Sequence, residues 1–83
     1  MNDTKPIVLI VDDTKQFLET LSERVGLKGF ETLDAVDAAS ALKLAEENDV
    51  HLAVVDLKLP DMDGLELSTK LKKIKPGMET ILL

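Results

Sequence analysis

The sequence contains no cysteine, no tryptophan and no tyrosine, and only two phenylalanines. Without cysteine there is no disulfide framework and no thiolate metal site; this composition suits a reducing, cytoplasmic setting. Without an aromatic platform, stacking of bases or sugars is not expected. Positive charge is the minority sign: ten Lys and Arg stand against sixteen acids, for a net charge of −6. Phosphate-backbone binding needs clustered cations, so nucleic acid is not expected as a direct ligand. No apolar run approaches the roughly 20 residues of a membrane span, and the polar start "MNDTKP" lacks the apolar centre of a signal peptide.

What is present is a short, regular alternation. The 83 residues suffice for one small domain of modest stability. "PIVLIV" (6–11) is a continuous β-branched run of the kind covered on both faces in a parallel sheet. Asp13 or Thr14 then caps a helix whose apolar stripe is Phe17, Leu18, Leu21 and Val25, and "GLKG" ends it with Gly29 available for a left-handed terminus. "FETLDAV" (30–36) interleaves polar residues and reads as a sheet-edge strand. Asp37 caps a second helix with a small-residue face of Ala38, Ala41, Leu42 and Ala45, ending near Asn48. "HLAVV" (51–55) is a second buried strand, and "LKLPDMDG" (57–64) is a loop by its Pro, Asp and Gly content. A third helix turns Leu67, Leu71 and Ile74 inward, "KPG" stops it, and "METILL" (78–83) is a fourth strand.

Strand–helix alternation implies a parallel sheet with right-handed crossovers and helices on both faces. The first and third strands should be central and the second outside the first. Ile81, Leu82 and Leu83 are apolar at successive positions and so point to both faces, which does not suit an edge strand in water. The expectation is a domain cut short after its fourth strand, or one whose open edge is covered by a second copy, giving a homo-oligomer.

In such a sheet, ligands bind beyond the carboxyl ends of the strands where strand order reverses. That point falls between the first strand, closed by Asp12 and Asp13, and the third, closed by Asp56. Adjacent strands lie about 4.8 Å apart, so three carboxylates converge within several ångströms. Like charges that close together ask for a hard cation, and Mg²⁺ takes one or two carboxylates with waters and phosphate oxygens. An Asp facing that ion can act as a nucleophile and form an acyl phosphate.

"VLIVDD" with "LAVVDLKLPDMDG" resembles the receiver domain of two-component response regulators, and the resemblance covers essentially all 83 residues. It implies an α/β, doubly wound, flavodoxin-like parallel sheet lacking the last helix–strand–helix. It further implies that Asp56 accepts a phosphoryl group from a sensor histidine kinase or phosphotransfer protein. Asp13 would bind Mg²⁺ directly, Asp12 mainly through water, and Lys58 through its backbone carbonyl. The Lys58 side chain would stand where the family tunes loss of the phosphoryl group, and Pro60 and Gly64 would shape the loop. Such a chain accepts a phosphoryl group and is not a turnover enzyme. The Ser or Thr after the fourth strand and the Lys after the fifth, which the family also uses, fall beyond Leu83.

Two other functions stay open at this point. One is an assembly module pairing through the fourth strand. The other is a Mg²⁺-dependent phosphohydrolase with an aspartyl-phosphate intermediate; such enzymes often set two acids one residue apart, whereas Asp12 and Asp13 are adjacent. Other features read as structural. "DMDG" is a turn and not a calcium loop, since alignment on Gly64 puts Leu59 and Lys70 at ligand positions. His51 has no companion histidine and reads as a surface residue. Lys70, Lys72, Lys73 and Lys75 form a solvated helix end, and Met1, Met62 and Met78 read as start, loop and filler.

Overall fold

The structure, a computed structural model, describes residues 5–83. Met1 and the polar stretch to Thr4 lie outside the described residues. Seven elements follow one another: β1 (Ile7–Val11), α1 (Lys15–Leu27), β2 (Glu31–Ala35), α2 (Ala38–Glu47), β3 (Leu52–Val55), α3 (Gly64–Ile74) and β4 (Glu79–Leu82). All three strand pairs are parallel and the sheet order is β2-β1-β3-β4. The two most apolar strands are central, β2 is at one edge, and the order reverses between β1 and β3.

The continuous apolar run of β1 is explained by two covered faces. Val8 and Ile10 pack with Leu18 on the α1 face, flanked by Leu21, Val25, Leu52 and Val54. Leu9 and Val11 point the other way, into a larger cluster with Ala38, Ala41 and Ala45 of α2 and Leu67 and Leu71 of α3. Alanines on α2 let that helix approach closely, and the two leucines of α3, both fully buried, fill the space beside it. Met78 is also buried in this cluster, a filler in the literal sense.

Three local readings change. Phe17 is 44% exposed and does not belong to the α1 stripe. Neighbouring helical residues point about 100° apart, and the inward direction is taken by Leu18. Thr14 occupies the N-cap position of α1 but its side chain caps nothing; Asp12 accepts from the Thr14 N–H instead, at 2.8 Å. Lys72 is not merely solvated, because its Nζ donates to the Met78 carbonyl at 3.0 Å and joins the end of α3 to the turn before β4. Gly29 has the positive φ, 97°, that its place after α1 suggested. No described helix is long and apolar enough to cross a membrane.

Candidate functional site

The site is a consequence of strand register. Val11 of β1 lies opposite Val55 of β3, so the next residue of each strand, Asp12 and Asp56, leaves the sheet side by side. The backbone holds both: the Asp12 N–H donates to the Ala35 carbonyl and the Asp56 N–H to the Val11 carbonyl, each at 3.0 Å. Asp13 follows Asp12 on the same strand end. Asp12, Asp13 and Asp56 each offer a carboxylate oxygen, and these oxygens lie within 4.8 Å of one another.

The three acids differ in environment. Asp12 is buried, at 8% exposure, and its orientation is fixed by the Thr14 N–H. Asp56 is half-buried and Asp13 is exposed. The three thus grade from one deep, fixed carboxylate to one open to solvent. Oxygens sharing one Mg²⁺ in an octahedral shell sit about 3–4 Å apart, which side-chain rotation can reach from separations of at most 4.8 Å. The donor set is all oxygen, which suits a hard cation and not a soft one. The residues therefore fit a magnesium-sized ion.

The loop after Asp56 is held at several points. Lys58 pairs with Asp63 as an isolated antiparallel bridge, and the Lys58 N–H makes a long contact, 3.4 Å, with Asp56 Oδ1. The Gly64 N–H donates to the Leu57 carbonyl at 2.8 Å. Asp63 caps α3, accepting from the Leu65 and Glu66 N–H groups at 2.7 and 3.2 Å. Gly64 itself is pressed on the backbone that carries Asp56: a Cβ there would overlap the Asp56 carbonyl oxygen and lie 2.8 Å from Leu57 Cα.

Asp61 is the residue that sequence reasoning left as an ordinary turn position. Its two oxygens accept from the Ala38 and Ala39 N–H groups at the start of α2, at 2.9 and 3.0 Å. The Ala38 bond, aided by that from Ala39 and opposed by partial desolvation, holds its carboxyl below the usual carboxylate range. Partners 22 and 23 residues away leave no local pattern to read. Asp37 caps the same helix as expected, accepting from the Ser40 N–H at 2.8 Å. His51 is exposed and accepts from the Ile7 N–H through Nδ1 at 3.0 Å, which ties the start of β1 to the start of β3. It lines, with Asp49, Lys75 and Met78, a shallow depression at the amino ends of the strands, the opposite end from the acids.

The family model described as the response regulator receiver domain matches residues 8–83. The chain is similar to the transcriptional regulatory protein PrrA of Mycobacterium bovis, 42% identical over 69 residues, or 83% of this chain and 30% of that protein. It is similar to the transcriptional regulatory protein GlrR of Escherichia coli, 33% identical over 76 residues, or 92% of this chain and 17% of that protein. It thus spans less than a third of the length of either relative. Among solved structures, a CheY-like receiver domain protein from Methanospirillum hungatei JF-1 matches with a TM-score of 0.92 at 37% identity, covering 95% of this chain and 63% of that one. A response regulator from Burkholderia pseudomallei matches with a TM-score of 0.89 at 28% identity, covering 94% of this chain and 46% of that one; its structure contains a phosphorylated aspartic acid, a calcium ion and citrate.

Proposed function

The chain belongs to the response regulator receiver domain family, and from that premise we propose that it is a phosphoacceptor in which Asp56 receives a phosphoryl group from a histidine kinase or phosphotransfer protein. Mg²⁺ would be held by Asp12, Asp13, Asp56 and the Lys58 backbone carbonyl. The observation that carries this reading is the meeting of three carboxylates at the reversal point of the sheet, set by the Val11–Val55 register.

The chain's own groups divide the work. An Asp56 carboxylate oxygen attacks phosphorus; a P–O bond forms as the P–N bond to the donor imidazole breaks, and the bonding pair leaves with the nitrogen. Asp12, held by the Thr14 N–H, stays fixed while this happens. Asp13, exposed at the rim, is free to follow an incoming ligand. Mg²⁺, when bound, offsets the negative charge of the carboxylates and of the arriving phosphoryl group. The chain accepts a group and turns over no substrate of its own, and it works in the cytoplasm, where a kinase partner would reach it. Adjacent acids at 12 and 13 give no support to a phosphohydrolase.

Incubation with acetyl phosphate and Mg²⁺, followed by mass spectrometry, tests the reading. One phosphoryl group is expected on Asp56 and none on Asp56→Ala. Equal labelling of both proteins, or no labelling when Mg²⁺ is saturating, rejects it.

A second activity, self-association, is favoured by a separate observation. β4 is a sheet edge, and Ile81, Leu82 and Leu83 are all exposed. An apolar edge strand is a template for another strand, and we propose that these 83 residues, taken alone, self-associate through it.

A further inference from the structure

We infer that Asp61 is a positioning residue for the phosphoacceptor loop: its carboxylate ties the loop between β3 and α3 to the amino end of α2, and so holds Asp56 and Lys58 where a cation can meet Asp12 and Asp13. This rests on the receiver reading and adds to it a residue that touches neither cation nor phosphoryl group.

α2 already has its own cap in Asp37, which takes the Ser40 N–H through its side chain and the Ala41 N–H through its backbone carbonyl. The Ala38 and Ala39 N–H groups remain, and Asp61 takes both. Ala38 is buried with Asp61 in place, while Ala39 and Asp61 are exposed. Detaching the loop gives up both bonds at once, which opposes its drifting off α2. The bonds are charge-assisted and lie at the positive end of a helix dipole, so they are strong of their kind. The same bonds hold the Asp61 carboxyl below the usual carboxylate range.

The other restraints close the loop on itself, through the Lys58–Asp63 bridge and the Gly64 N–H to the Leu57 carbonyl. At its far end Asp63 and Gly64 join it to α3. Leu59 and Met62 lie against the edge of the core and are only partly buried. Next to Asp56 the one side-chain bond is the long contact from the Lys58 N–H. Asp61 ties the middle of this closed loop to α2, and so sets where Lys58 and Asp56 stand against Asp12 and Asp13. In metal sites, groups outside the ligand set orient the ligands; Asp61 would do so only through the loop backbone, since its own bonds go to Ala38 and Ala39.

Three variants of the full chain separate this role from simple helix capping. Asp61→Ala removes cap and tie together; Asp61→Asn keeps one oxygen acceptor; Asp37→Ala weakens the same helix without touching the loop. Each is titrated with Mg²⁺ by calorimetry, and amide hydrogen exchange is followed over residues 57–62. Asp61→Ala should bind Mg²⁺ roughly tenfold more weakly, as losses of outer partners do, while Asp37→Ala stays within about twofold of the parent. Exchange in the loop should quicken in Asp61→Ala alone, and Asp61→Asn should recover much of both losses. If Asp61→Ala does not fold, Asp61→Asn against Asp37→Ala carries the same comparison. A parent chain that binds Mg²⁺, with Asp61 and Asp37 variants that behave alike, overturns the inference and leaves the receiver reading intact. A parent that binds no Mg²⁺ overturns both.

Discussion

Gly64 shows how much a single atom controls at this site. In an exposed helix interior Ala is favoured over Gly by about 1 kcal/mol. Gly64 opens α3, yet the reverse is expected, because an added Cβ would overlap the Asp56 carbonyl oxygen. The atoms in the way belong to backbone and cannot swing aside. Gly64→Ala should therefore destabilise the protein by roughly 1–3 kcal/mol, the usual range for overpacking, as read by urea unfolding, and should also slow phosphorylation of Asp56. An unchanged or raised stability would mean the close approach is absent. The sequence marks Gly64 as a turn glycine, but its φ is not in the left-handed region; its reason is proximity, which only the folded chain reveals. Gly29 is the contrast, a glycine whose positive φ was legible from its place after a helix.

At the scale of the element, α3 is the most exposed to failure. It presents two fully buried leucines, Leu67 and Leu71, to the central cluster, while Ile74 near its end is only partly buried. Truncating a buried leucine costs about 2–5 kcal/mol. Whole domains hold only about 0.05–0.15 kcal/mol per residue, so a chain this short has little reserve. Leu71→Ala should lower the unfolding free energy by about 2–5 kcal/mol, and Ile74→Ala by clearly less, in parallel urea titrations followed by far-ultraviolet circular dichroism. Equal losses would mean that α3 is rotated from the orientation seen here. The inward face of α3 was readable from apolar spacing alone. That of α1 was not fully so, since Phe17 and Leu18 are both apolar and only packing against Val8 and Ile10 selects Leu18.

At the scale of the whole molecule, β4 forms one edge of the described sheet. By register Ile81 sits beside Val54 and Leu82 beside Val55, so they extend the two apolar faces of the sheet outward. α1 covers the β1–β2 side of its face, and Ile81 remains 47% exposed. A charged residue on an edge strand opposes strand addition. Light scattering should show association of the parent chain that rises with concentration, and Ile81→Lys should shift it toward monomer with the fold retained. A parent that stays monomeric at high concentration removes β4 as an assembly edge.

The amino-acid order alone determined the alternation of strands and helices, the central place of β1 and β3, and the identity of the three acids. Each of these follows from local information: periodicity, turn residues, and carboxylates next to the end of an apolar run. Tertiary structure decided the rest. It set Asp12 at depth and Asp13 at the surface, brought Asp61 to a helix that begins 23 residues before it, and left no room for a side chain at Gly64 by pressing it on the Asp56 backbone. Those outcomes depend on how elements distant in sequence approach one another, and no short-range pattern encodes a distance of that kind.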